Sequence, residues 1–248
     1  ARDEACAAIL CAVAEQDHST ARRGRMMVKD LEIEPSGNIW LALDLERRVQ
    51  QGDGQLGTLE HGIVVAASLA ADLLSGRDPR AVGLLAFGGE ETEAGRGGLV
   101  QVLPGLGGAH IWPILSALAP VTAGELGLAT LLASSRERIG RRSVLTVITP
   151  VASGMVAKGS VDVDWVAELI HLRGVGVDSS VALVAPADAD ANAAEAIQQL
   201  LARLDIPCTV MMAGAPLPAL LTFRRRRRVV RTTPTGGVVS YEVDEEVG

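Results

Sequence analysis

Aromatic side chains are nearly missing from this chain: two phenylalanines, one tyrosine and three tryptophans in 248 residues. A stacking surface for single-stranded nucleic acid or for sugars needs more than that, so those classes are set aside. Cysteine is also scarce. Cys6, Cys11 and Cys208 are odd in number and irregular in spacing. They build no disulfide framework and no C-x-x-C half-site for zinc, and a reducing cytoplasm is the expected setting. Positive charge is in deficit, with a formal net charge of -7, so no general attraction to nucleic acid or anionic lipid is expected. No run of 18 or more apolar residues is present, so no membrane segment is expected within the chain. Ala5–Ala14 is apolar but flanked by Asp3, Glu4, Glu15 and Asp17. That is the wrong charge for a signal peptide and fits a short helix. The chain opens on Ala1, and a fragment or processed form is expected.

Several catalytic signatures are missing too. There is no G-x-x-x-x-G-K-[ST] phosphate loop and no G-x-S-x-G elbow. Gly105-Leu106-Gly107-Gly108 lacks the third glycine of a dinucleotide fingerprint. His18, His61, His110 and His171 are scattered without H-x-x-x-H pairing, and we read each as a surface or capping residue.

What is present is a core. Hydrophobic residues make up 48% of the chain. Continuous apolar runs at Ile39–Leu43, Ala81–Phe87, Ser143–Thr149, Ser180–Ala185 and Cys208–Ala213 predict strands buried on both faces. Helical periodicity lies between them: Leu59, Ile63, Ala66, Ala70 and Leu73 on one face, then Val166, Leu169 and Ile170 before Gly174, then Ile197, Leu200, Leu201 and Leu204 behind a cap at Asn192. This alternation predicts an α/β fold with a doubly wound, mostly parallel sheet flanked by helices. Antiparallel pieces are expected at three places: Met27–Glu34 as an edge strand forming a hairpin into Ile39–Leu43, Leu99–Leu103 at an edge, and a late hairpin around Pro234–Gly237. We expect residues 1–18 to be an N-terminal segment with a short helix and 19–248 to be a single domain.

Ile39–Leu43 ends abruptly in Asp44, at the carboxyl end of a core strand, where open parallel sheets bind ligands and partners. Asp44 is therefore the first candidate for function. Thr122-Ala123-Gly124-Glu125 fits a capping box before a helix at Leu126, Leu128 and Leu132. Glu90-Glu91-Thr92-Glu93 is an acidic loop after the second strand. Arg224–Arg228, five arginines in an acidic chain, reads either as a helix end complementing the macrodipole or as a site for nucleic acid, phosphate or an acidic partner. Trp40, Trp112 and Trp165 are expected to pack in the core.

The phrase Ser19-Thr20-Ala21-Arg22-Arg23-Gly24-Arg25-Met26-Met27-Val28-Lys29-Asp30-Leu31-Glu32 resembles the one that opens the last domain of the bacterial domain of unknown function 58 family. Asn38–Glu46, Thr58–Ala70 and Val82–Leu85 then resemble its first strand, first helix and second strand. The resemblance runs from about Ser19 to about Ala213. The family's usual tryptophan before the first phrase is missing, with His18 nearby. The resemblance implies a von Willebrand factor A-like fold. Such folds commonly carry a metal-ion-dependent adhesion site: D-x-S-x-S, a loop threonine and a later aspartate around a divalent cation. Here Asp44-Leu45-Glu46-Arg47-Arg48 keeps the first acid, but Glu46 and Arg48 replace the serines. Thr122 matches the loop threonine, and Pro150 stands where the last acid belongs.

The expectation is thus a degenerate site without a cofactor. If a cation such as magnesium were held, Asp44, Glu46 and Thr122 would hold it. The expected function is a non-catalytic adaptor whose partner-binding rim is Asp44, Glu46, Arg48, Glu90, Glu91 and Thr122. The resemblance implies a MoxR-type AAA+ ATPase as partner, in the cytoplasm, with a membrane anchor in a missing N-terminal part of the parent protein. The alternative is a metal-dependent, phosphohydrolase-like enzyme using acids at the strand ends.

Overall fold

A computed structural model of the chain describes residues 31–33, 37–76, 79–88, 98–151, 156–157, 160–161, 163–186, 191–213, 223–232 and 238–247. The expected helix at Ala5–Ala14 and the boundary at 18/19 lie outside these residues. The chain forms two compact units, Ser36–Leu220 and a second made of its two ends, Ala1–Pro35 and Leu221–Gly248.

The larger unit is built on six strands: β2 (Ile39–Leu43), β3 (Val82–Gly88), β4 (Gly98–Gly105), β5 (Val144–Pro150), β8 (Asp178–Ala185) and β9 (Cys208–Met212). Their order is β4-β3-β2-β5-β8-β9. Every neighbouring pair is parallel except β3–β4, so the expected antiparallel edge at Leu99–Leu103 is present. Two short strands, β6 (Val156–Ala157) and β7 (Ser160–Val161), pair with each other.

The helices are α1 (Thr58–Ser75), α2 (Ile111–Leu118), α3 (Leu128–Ile139), α4 (Trp165–Gly174) and α5 (Ala191–Arg203). Both faces of β2 are covered, which is why all five of its residues are buried and apolar. On one face Trp40, Ala42, Leu145, Val147, Val181 and Leu183 pack with Leu131, Leu132, Leu169, Leu172, Ile197 and Leu201. On the other, Leu43 and Ile148 lie against Gly62 of α1. Trp40 fits because β3 has a glycine beside it. A Cβ on Gly83 would stand 2.8 Å from two carbons of the indole ring, closer than packed atoms approach.

Four helical expectations are corrected in detail. Ala66, Ala70 and Leu73 of the expected α1 face are buried, with Thr58, His61, Val65 and Leu69 beside them, whereas Leu59 and Ile63 sit at the margin. Ile170 is exposed, one step round the helix from buried Leu169. Asn192 lies inside α5 rather than capping it, because the helix already begins at Ala191. Trp112 is 68% exposed on α2, whereas Trp40 and Trp165 are buried. By length and composition α1 is apolar enough to cross a bilayer, yet half of it is buried inside the α/β unit.

In the smaller unit β1 (Leu31–Ile33), β10 (Phe223–Thr232) and β11 (Val238–Val247) form an antiparallel sheet in the order β1-β10-β11. The late hairpin is as expected. The early one is not: β1 pairs with β10, Leu31 opposite Val230 and Ile33 opposite Arg228. The reason is that β2 has β3 on one side and β5 on the other, so no edge is free for a hairpin partner. The arginine run is also corrected, since it is strand and not helix. Its register sets Arg224 opposite Glu246, Arg225 opposite Glu245, Arg226 opposite Asp244 and Arg228 opposite Glu242.

Candidate functional site

The strand order gives the sheet one switch point. From β2 the chain moves outward to β3 and β4, then returns to the other side of β2 with β5, β8 and β9. Ligands of open α/β sheets bind outside the carboxyl ends of the strands at such a point. In this chain that place lies between the ends of β2 and β5.

Asp44 stands there. Its backbone amide continues the parallel ladder, donating to Ile148 O at 2.9 Å. With Leu43 beside Ile148, the next residues of the two strands, Asp44 and Thr149, come together. The Thr149 hydroxyl donates to Asp44 Oδ2 at 2.7 Å, and the Glu46 amide donates to Oδ1 at 3.1 Å. Both carboxylate oxygens therefore have donors from the protein. Asp44 is 5% exposed. Burial pushes its carboxyl up to about 6, the Thr149 and Glu46 hydrogen bonds pull against that rise, and the charges of Glu46 and Asp164 add to it.

The segment after Asp44 is fastened on two sides. Gln50 Nε2 donates to Asp44 O at 2.9 Å, and the Thr58 hydroxyl donates to Gln50 Oε1 at 2.9 Å. Gln51 N donates to Thr58 Oγ1 at 2.9 Å, and Gln51 Nε2 reaches Val151 O at 3.2 Å. The turn after β2 is thus tied both to the first residue of α1 and to the end of β5. On the other side, Gly124 N donates to Leu45 O and Arg47 N to Gly124 O, each at 2.8 Å.

Above this floor lie the charges. Arg48 Nε donates to Glu46 Oε1 at 2.7 Å, and its Nη2 stands 2.5 Å from the same oxygen. The Arg48 side chain is 80% exposed, whereas that of Glu46 is largely covered. Glu46 Oε2 lies against Gly127, the residue before α3, where any Cβ would collide with it. A carboxylate at that helix start is favoured by the macrodipole. Arg47 Nη2 donates to Ala123 O at 3.1 Å, and its Nε pairs with Glu125 Oε1 at 3.1 Å.

Of the expected rim, Asp44, Glu46, Arg48 and the Thr122 segment share this end of the sheet. Glu90 and Glu91 lie outside the described residues. Thr122 is exposed, and its expected capping role is corrected: α3 begins at Leu128 behind Gly127, with no side-chain cap. Thr149, Gln50 and Asp164 were missed. Two apolar runs that each end in a polar residue, Leu43-Asp44 and Ile148-Thr149, were the available signal for the first. Among the described residues no three of His, Cys, Asp and Glu come together as a cation set. Burial pushes the Cys208 thiol up to about 12, far from a reactive thiolate.

No family model and no curated protein matches the sequence. Solved structures to which the chain is similar include three from different sources. The pilus adhesin SpaC of Lactobacillus rhamnosus GG is 14% identical with a TM-score of 0.48, over 72% of this chain and 28% of that one. Proximal thread matrix protein 1 of the mussel byssus, solved with zinc in its metal-ion-dependent adhesion motif, is 13% identical with a TM-score of 0.43, over 73% and 45%. Manganese-loaded TRAP protein of Plasmodium vivax is 12% identical with a TM-score of 0.46, over 89% and 97%. This chain thus spans less than half the length of the first two.

Proposed function

We propose that the chain is a non-catalytic protein-interaction domain of the von Willebrand factor A-like class, docking through the rim above Asp44. One observation carries the reading: both oxygens of Asp44 are engaged by donors of the chain itself. Those two donors take up part of the carboxylate's accepting capacity, and a divalent cation would need several further oxygen ligands around it. The D-x-S-x-S positions hold Asp44, Glu46 and Arg48, and Arg48 sets a guanidinium on Glu46. These residues do not fit the ion. In our reading Arg48 neutralises the acids in its place, and the site is degenerate.

The resemblance of Ser19–Glu32 and the stretches after it to the domain of unknown function 58 family supplies the partner class, a MoxR-type AAA+ ATPase, and a cytoplasmic placement belongs to the same reading. The test is calorimetry with magnesium alongside capture of such an ATPase. No magnesium binding is expected, together with a complex that survives chelator and is weakened by Arg48→Glu. Stoichiometric magnesium binding abolished by Asp44→Ala would overturn the reading.

A further inference from the structure

Arg47 and Arg48 are consecutive on the short 3-10 turn Arg47–Val49, just past the carboxyl end of β2. Each is fastened to the chain by the same edge of its guanidinium. Arg48 uses Nε and Nη2 on Glu46 Oε1. Arg47 uses Nε on Glu125 Oε1 and Nη2 on Ala123 O. Among the described residues Nη1 of neither arginine is engaged. The end edge of each fork, Nη1 with the second hydrogen of Nη2, is left over, and such an edge holds a carboxylate through two parallel hydrogen bonds. Exposure sets the sign of what faces outward. The Arg48 side chain is 80% exposed and that of Glu46 only 14%, and Asp44 is buried. The acids form the floor and the guanidinium forms the top. Arg47 and Glu125 are equally exposed, at 63% and 62%, so that pair leaves the balance unchanged.

We propose that the rim takes a carboxylate of its partner directly on arginine, with Arg48 as the anchor and Arg47 beside it. This rests on the docking reading above and names the chemistry of what docks: an acidic segment of a protein. Charge complementarity selects that occupant. A basic segment would meet the Arg48 guanidinium before it reached Glu46 or Asp44 beneath, and like charges at close quarters repel. A carboxylate meets its natural partner. Guanidinium is always charged and weakly hydrated, so water leaves it readily, and its planar fork matches the two oxygens of a carboxylate. Both forks are already held by the chain through their side edges. Less side-chain freedom is therefore lost when the ligand arrives than at an arginine free to swing.

Fluorescence anisotropy of the full chain with labelled hexaglutamate, and with labelled hexalysine as the control, tests it. The expected result is salt-sensitive binding of hexaglutamate that Arg47→Gln with Arg48→Gln weakens at least ~10-fold, about 1.4 kcal/mol, while Glu125→Gln does not weaken it. Arg48→Lys keeps the charge and loses the fork, so it should weaken binding by less than the double change. If the double variant fails to fold, as judged by circular dichroism, Arg48→Lys carries the test, since it leaves a cation for Glu46. Three results would overturn the proposal: no binding of hexaglutamate, binding that the arginine changes leave untouched because it sits elsewhere (at Arg224–Arg228, for instance), or binding of hexalysine that Glu125→Gln removes. Capture of the ATPase is read separately. A complex that forms while hexaglutamate ignores Arg47 and Arg48 would leave docking standing and remove only the carboxylate chemistry.

Discussion

The two units of this chain are specified by different forces. In Ser36–Leu220, strands are chosen by continuous apolar character. Every residue of β2 is buried, and one large ring, Trp40, sits over one glycine. In the terminal sheet the longest ladder is known by its register, which sets four of the five arginines of Arg224–Arg228 opposite acidic positions of β11. Hydrophobic burial is strong and indifferent to salt, whereas cross-strand charge pairs are individually weak and screened. One kind of order resists most single changes on the surface, and the other rests on register.

The sharpest way to break the first unit is Trp40→Ala. It removes the largest buried side chain of β2 and should cost about 3–5 kcal/mol, read as a lowered midpoint in denaturant unfolding. Asp44→Asn should act in the opposite sense. The folded-state value of Asp44, about 6, lies above the ordinary 3.8, so the folded chain holds the proton more tightly than the unfolded one. Stability from this group is full below about pH 4, falls as pH rises to about 6, and stays low above that. At ~1.4 kcal/mol per pH unit the loss is about 3 kcal/mol at neutral pH. Asp44→Asn should recover part of it and flatten the pH dependence of unfolding between about pH 4 and 6. A variant less stable than the parent at pH 7 would show that the carboxylate itself is needed.

Gly83→Ala should cost about 1–3 kcal/mol, by pushing a methyl group into the Trp40 ring and Val102 O. The smallest effect belongs to the ladder. Glu242→Lys sets like charges opposite at Arg228 and should cost about 0.2–1 kcal/mol. Adding Arg228→Glu should restore the loss, and high salt should shrink it. A double-mutant cycle at two salt concentrations measures both.

The same contrast explains what could be read in advance. The five parallel strands were legible because burial on both faces leaves an unbroken apolar run. The Asp44 end was legible because an acid stops such a run. Thr149 was not, since its role depends on β5 lying beside β2, and adjacency of strands is a property of topology. The Arg224–Arg228 strand was misread because each half of a charge ladder looks solvated until the other half, some twenty residues on, is laid beside it. β1 was assigned the wrong partner because chain proximity outweighed the fact that both edges of β2 were already taken. Trp112 looked like a packing residue from its apolar neighbours alone.

The bond between Thr149 and Asp44 fastens the floor of the crevice between two central strands. On the docking reading proposed above, a partner meets the exposed side chains of Arg47, Arg48 and Glu125 first. Encounter would then be quick, and departure quick as well, with lifetimes tuned by ionic strength instead of by ligand exchange at a metal. A contact of that type suits repeated, short engagements better than a permanent bond.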